Sequence, residues 1–406
     1  MKQWSKLSKE EIQQRVLDAL NQNVNYFEQD ILGVPGSHLD EKVFYSDAPF
    51  LKDAPFLTSM IRNPNHIGCH TLDHSESFFS GTQQIERELI ALCAGCILGA
   101  DDEQIDGYVA SGGTEANIQA IWIYRNFFQK TFHATPDSIA ILCSEDSHYS
   151  MDKAANVLGI RLSKVAVEPD TRKLDTSALE ECVKKGKENG IEHYIVVANM
   201  MTTMFGSCDH LDDYIQVLEK YQCTYKVHID AAYGGFFHPF ANPGHGLDFS
   251  NPRVDSITLD AHKMVQAPYG TGIFLARKGL MAYTNTKEAR YVEGEDFTLI
   301  GSRSGANAIA IWMILMTYGS EGWFSKIKKL CERASHFAQQ LHDKHIDFYR
   351  YPNSNIITIR ANHVSKNLAT AYGLVPDDHH NPNWYKVVVM EHVTQDKLEA
   401  FLSELD

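Results

Sequence analysis

From Gly107 to Gly272 the chain alternates short apolar, β-branched runs with stretches at helical spacing. The runs are "GYVA", "SIAILC", "RLSKVAV", "HYIVVAN", "YKVHID", "SITLD" and "GTGIFLA", and helices are expected between them from Glu115, Ser150, Thr176 and His210. The runs are apolar blocks rather than in-out alternations, as in strands covered on both faces. Strand and helix in turn predict an α/β fold around a mostly parallel central sheet. Upstream, "SKEEIQQRVLDALNQNVNYF" carries a capping box, Ser8 with Glu11, followed by Ile12, Val16, Leu20 and Phe27 near helical spacing. This amphipathic helix needs cover, either from a partner subunit or from its own chain. Between Leu32 and Gly81, residues rich in Pro, Gly, His, Asn and Ser predict irregular structure with short helical turns, and "TQQIERELIALCAGCILG" resumes the helical period. After Gly301 the pattern becomes long helices, the strands "NIITIR" and "KVVVM", and a last helix. The expected division is an N-terminal helical segment, 1–60, a large domain, 61–300, and a small C-terminal α+β domain, 301–406.

Composition narrows the function classes. The 406 residues are long enough to bury a large core, and 44% hydrophobic with 22% charged residues is ordinary for a globular chain. A formal charge of −15 and no Lys/Arg stripe argue against a nucleic-acid surface. Eight cysteines scattered through apolar runs read as reduced thiols. No run reaches the length of a membrane span, and "MKQWSKLSKEEIQQRV" contains no apolar signal core, so a cytoplasmic location is expected.

Three segments carry candidate chemistry. In "VASGGTEAN" a strand passes through Gly112 and Gly113 into a helix near Thr114. Such a junction is either a tight turn or a phosphate cradle, with backbone N–H groups, the helix N-terminus and the hydroxyls of Ser111 and Thr114 facing an anion. In "HIDAAYGG", Asp230 closes a strand where parallel sheets bind ligands. It is either a helix cap or the partner of a protonated ring nitrogen, and Ala231 and Ala232 leave a flat surface beside it. In "SITLDAHKM", Lys263 follows His262 at another strand end, where an apolar wall and a nearby cation would ready its amine for an aldehyde. Phosphate cradle, strand-end Asp and strand-end Lys, in that order, are the parts that pyridoxal 5′-phosphate needs.

On "SGGTEAN", "EDSHYS", "ANMMTTMFGSCD", "HIDAAYGG", "DSITLDAHKM" and "GSRSG", across about residues 60–320, the chain resembles the pyridoxal-phosphate-dependent group II amino-acid decarboxylases. These include the glutamate, histidine and aromatic amino-acid enzymes and, closest, the short archaeal-type tyrosine/aspartate branch. The resemblance implies a fold type I architecture and decarboxylation of an L-amino acid to its amine and CO2, through a Lys263 Schiff base and a quinonoid. It further implies that Asp230 pairs with the pyridine nitrogen, Ala232 packs on one ring face, and His148 stacks on the other and assists proton transfer. Ser111, Gly113 and Thr114 would hold the phosphate with His262 nearby, Thr202 would reach the phenolic oxygen or the substrate carboxylate, and Arg303 would grip the α-carboxylate. Tyr291 is expected to protonate Cα, with Tyr283 close in sequence, and the stretch from His70 to Ser80 is expected to contact the substrate. A homodimer with its sites at the subunit interface is implied as well. Two departures are visible: Met201 stands where many relatives have Gly, and Asp260 where several have Ser or Asn.

Other signals carry less. His66, His70 and His74 recur every four residues, but Pro64 and Gly68 break the helix a metal site would need, so no metal is expected. Cys93 and Cys96 lie in an apolar helix and read as core. The competing functions are an aldolase-type lyase, an aminotransferase or a desulfurase on the same cofactor, and a catalytically silent fold. The last predicts a colourless protein.

Overall fold

The alternation is present in the computed structural model, which describes residues 2–23, 57–72, 77–101, 104–285 and 295–405. The chain forms two compact units, residues 1–133 with 248–321 and residues 134–247 with 322–406.

In the first unit, strand Gly272–Arg277 lies between Ile105–Ala110 and Ser256–Asp260 and runs antiparallel to both. The sheet is therefore mixed, with this strand antiparallel in the mostly parallel arrangement expected. Residues 261–271, a single helical turn and a loop, are too short for the crossover a parallel return needs. A second pairing joins Asn65–Ile67 to Ser302–Ser304, with His66 opposite Arg303. The expected N-terminal helix is Lys9–Gln22, with the Ser8–Glu11 capping box formed in both directions. It packs on helix Ser80–Ala91 so closely that a Cβ on Gly81 would lie 2.0 Å from the Ala19 carbonyl oxygen. Its own chain thus covers one face; Phe27 lies outside the described residues. Cys93 is buried in the helical turn Leu92–Ile97, and burial raises its thiol pKa, as fits a core residue.

In the second unit, four parallel strands stand in the order Thr224–Asp230, His193–Asn199, Ile139–Ser144, Arg161–Val165. Every residue of Ile139–Ser144 and His193–Asn199 is buried, which accounts for their block-like apolar composition. Helices Ser150–Leu158, Thr176–Glu188 and Leu211–Lys220 follow these strands, the second capped by the Asp175 carboxylate on Ser177 and Ala178 N–H. A separate antiparallel sheet, with Ile356–Arg360 and Trp384–Val388 at its centre, packs Ile357, Ile359 and Val387 against Phe337, Leu341 and Phe401. It is the expected C-terminal α+β element.

Candidate active site

Register brings the first set of residues together. Ala110 and Asp260 both pair with Gly272, so strands Ile105–Ala110 and Ser256–Asp260 end level at the same edge. From the first end the chain turns through Ser111 and Gly112 into helix Gly113–Phe132; from the second it turns through Ala261–Val265, which carries His262 and Lys263. The approach is tight, because a Cβ on Gly272 would sit 2.6 Å from the Gly112 backbone. The first N–H groups of helix Gly113–Phe132 have no acceptor within the helix and carry its positive end. Glu115 turns back to accept Ser111 N–H at 2.6 Å, fixing the turn without occupying those donors.

Lys263 Nζ lies 3.1 Å from Asp260 Oδ2, which gives Asp260 a role that sequence reading did not assign. His262 Nε2 is 3.6 Å from the same oxygen, while its buried Nδ1 has no hydrogen-bond partner. Burial pulls the His262 pKa down, Asp260 opposes this and Lys263 adds to it, so the ring is neutral at neutral pH. His262 Cε1, the ring carbon next to this orphaned nitrogen, lies 3.8 Å from where a Gly112 Cβ would sit, and an unpartnered ring nitrogen beside a helix N-terminus suits a phosphate. The residues present therefore fit the phosphate end of pyridoxal phosphate.

In the second unit, Asn199 pairs with Asp230 across the sheet, so strands His193–Asn199 and Thr224–Asp230 also end level. His148, Thr202, Asp230 and Ala232 all follow the carboxyl ends of these parallel strands, the edge where such sheets bind ligands. Asp230 is 8% exposed and accepts Ala232 N–H at 3.2 Å. His148 Nδ1 accepts Ser150 N–H at 3.2 Å, which places the proton of the neutral ring on Nε2. Thr202 and Ser207 hydroxyls are 2.7 Å apart in a closed turn that begins at Met201 with φ 68°. That left-handed backbone explains why a glycine suits the position in relatives, and here Met adopts it. Gly234 is fixed by a similar constraint, since a Cβ there would lie 2.2 Å from Met200 O. A buried carboxylate beside a small residue fits the ring end of pyridoxal phosphate.

Arg303 is held by a buried acid. Its guanidinium is 4% exposed and forms an ion pair with Glu86, and its terminal nitrogens also donate to Val109 O at 3.2 Å and Cys69 O at 2.7 Å. Glu86 accepts Val109 N–H at 2.7 Å and lies 2.9 Å from His66 Nδ1. Burial alone would raise the Glu86 carboxyl pKa, but Arg303 and His66 hold it well below the usual range. Both backbone groups of Val109 that face away from the strand pairing are thus taken by side chains. Both terminal nitrogens of Arg303 serve the strand leading into the glycine turn, while its buried Nε has no hydrogen-bond partner. Arg303→Met leaves Glu86 buried with only His66 as an ionic partner and is expected to cost about 3–5 kcal/mol of stability. Thermal or urea unfolding checks this, and a change below about 1 kcal/mol would contradict the assignment.

His70 lies 2.5 Å from Asp106 and packs edge-on to Phe297 at 4.4 Å between centroids. His66 sits apart from it in the Glu86 network. His74 and Tyr291 lie outside the described residues. Among those described, no group of three His, Cys, Asp or Glu side chains could hold a metal ion. Glu86 and Asp106, and the contact of Asp260 with Lys263, escaped sequence reading because an isolated acid gives no signal of its partner. Glu115 was within reach, since an acid in the first turn after a glycine junction commonly folds back. A cavity of about 580 Å3 in the second unit, next to the Thr202 turn, is lined by Arg172, Arg360 and Lys386 together with Phe205 and Trp384. The three cations were missed because they lie far apart in sequence.

Residues 84–356 match the pyridoxal-dependent decarboxylase conserved domain. The chain belongs to the pyridoxal-dependent decarboxylase family. The match to a tryptophan decarboxylase of Clostridium sporogenes (strain ATCC 15579) is 49% identical over 100% of this chain and 97% of that protein. A probable L-tyrosine/L-aspartate decarboxylase of Methanocella arvoryzae is 31% identical over 87% of this chain and 94% of its own length. In fold, a glutamate decarboxylase of Lactobacillus brevis superposes with a TM-score of 0.69 at 18% identity, covering 98% of this chain and 91% of that one. This decarboxylase is thus a fold type I, pyridoxal-phosphate-dependent carboxy-lyase acting on an amino acid. No helix among the described residues is long and apolar enough to cross a membrane.

Proposed function

We propose that this decarboxylase acts on an aromatic L-amino acid, tryptophan foremost, and releases the arylalkylamine and CO2. The observation that carries this reading is the full-length 49% identity with a tryptophan decarboxylase. The edge-on packing of His70 on Phe297 supports it, because the pair presents aromatic surface rather than a charge.

Pyridoxal phosphate, when bound, supplies an electron sink for the bond between Cα and the carboxylate. Helix N-terminal N–H groups at Gly113 and Thr114, the hydroxyls of Ser111 and Thr114, and His262 Nδ1 would hold the phosphate. Lys263 would supply the amine for the aldehyde carbon, with Asp260 orienting it. Asp230 would keep a proton on the ring nitrogen, Ala232 and His148 would pack against the ring, and Thr202 would serve its polar edge. His70, kept in place by Asp106, meets the substrate side chain. Tyr291 delivers the proton to Cα. Arg303, whose buried Nε has no hydrogen-bond partner, is assigned to the α-carboxylate.

The protein works as a cytoplasmic homodimer with its sites at the subunit interface, and the division at residues 60 and 300 separates dimerising, cofactor-binding and C-terminal parts. Supporting this are eight free cysteines and an apolar groove along helix Lys9–Gln22, lined by Leu7, Ile12, Val16, Leu17 and Met313.

Purified enzyme incubated with each protein amino acid, with CO2 and amine quantified, tests the substrate assignment. Tryptophan is expected to give the highest kcat/KM, by about tenfold or more over aspartate, glutamate and histidine. A higher value for an acidic amino acid would refute it.

A further inference from the structure

Gln119 lies two turns into helix Gly113–Phe132, fully buried, with both hydrogens and the oxygen of its amide engaged. Nε2 donates to Phe297 O at 2.9 Å and to Thr284 Oγ1 at 3.3 Å. Oε1 accepts Leu299 N–H at 2.7 Å and faces the Tyr108 hydroxyl at 3.2 Å. Thr284 and Phe297 are themselves joined, hydroxyl to carbonyl, at 2.8 Å. One amide therefore fixes both flanks of residues 285–296. The same helix reaches the phosphate cradle one turn earlier, where Glu115 takes Ser111 N–H on one oxygen and the Tyr108 hydroxyl, at 3.0 Å, on the other. Tyr108 is wholly buried, and burial raises its pKa far above the ordinary value, so it stays a neutral link at any working pH.

We propose that Gln119 is a positioning residue for the reaction: it holds the two flanks of residues 285–296 in register with the helix that binds the cofactor phosphate. The proposal deepens the reading above, in which this segment supplies Tyr291. The amide is chemically specific for the task. The two carbonyl and hydroxyl oxygens need donors and the Leu299 N–H needs an acceptor, at one point. Only a carboxamide offers both without charge, whereas a carboxylate would set oxygen against the Phe297 carbonyl. Further anchors lie nearby: Asn126 donates to Tyr283 O at 2.9 Å and Phe297 N–H to Gly68 O at 2.9 Å. Gln119 is the residue that touches both flanks at once.

The test is Gln119→Leu, compared in the holoenzyme with Tyr291→Phe and the double variant. Q119L is expected to lower kcat about ten- to a hundredfold, with KM unchanged and the affinity of the apoenzyme for pyridoxal phosphate, read by absorbance titration, held within about threefold. Amide hydrogen exchange at Leu299 and at the flanks 281–285 and 295–299 should accelerate at least about tenfold, while that of the neighbouring strand stays constant. If the amide acts through Tyr291, the double variant falls no further than Y291F; effects that multiply would overturn that route. Y291F with wild-type kcat would remove the role given to Tyr291 and leave Gln119 to be judged on exchange and on its own kcat. Wild-type kcat or unchanged exchange in Q119L overturns the proposal. Should Q119L fail to fold, Thr284→Val, which deletes one hydroxyl of the junction, is expected to give the same pattern at smaller size, and wild-type behaviour there overturns it equally.

Discussion

Lys263→Ala is expected to abolish amine formation, lowering kcat by at least about a thousandfold, and to leave the purified protein without the visible absorbance of bound cofactor. The amine is the only nucleophile in the turn Ala261–Val265, where His262 is held neutral by burial and lies beside it. Alanine keeps the turn, because the turn depends on backbone bonds such as Ala261 N–H to Thr271 O at 2.8 Å and not on the lysine side chain. The Lys263–Asp260 contact is partly exposed on the lysine side, so its loss changes the unfolding midpoint by no more than a few degrees, about 2–4 °C. Activity and folding thus separate cleanly. Substantial amine production by a well-folded K263A protein would remove the basis for the whole assignment.

Asp230→Asn should be nearly as damaging by a different route. Asparagine matches aspartate in shape and can still accept the Ala232 N–H at the end of strand Thr224–Asp230, so the fold is preserved. A neutral amide cannot hold a proton on a ring nitrogen, and the cofactor loses the positive charge that draws electrons from the breaking bond. A fall in kcat of about a hundred- to a thousandfold with little change in KM is expected, in line with removing one preorganised electrostatic contact. Steady-state rates with tryptophan and a cofactor-affinity titration check it, and a kcat within twofold of wild type would contradict the role of Asp230. Together the two variants probe the two units separately, since Lys263 belongs to one and Asp230 to the other.

Much of the site was legible because its motifs are local. "VASGGTEAN" announces a strand, a glycine turn and a helix N-terminus within nine residues of chain starting at Val109, and the structure forms all three. "HIDAA" and "SITLDAHK" end on strands exactly where the apolar runs stop. The ion pair of Arg303 was not legible because a guanidinium looks the same in sequence whether or not it faces a buried acid. Its partner Glu86 lies 217 residues away, and nothing along the chain links them. Gln119 was invisible for the same reason: an amide in an amphipathic helix carries no mark of the four partners that packing assigns to it.

The sequence by itself determined the α/β alternation, the helix caps, the cofactor and the family, because each rests on periodicity or on residues within one turn of each other. Only the tertiary structure decided that strand Gly272–Arg277 runs antiparallel to its neighbours, that Asp260 attends Lys263, and that Arg303 braces the cradle strand. Those outcomes depend on which distant polar groups are buried together. Burial makes an unpaired charge or amide so costly that partners are chosen by packing geometry, which local sequence does not encode.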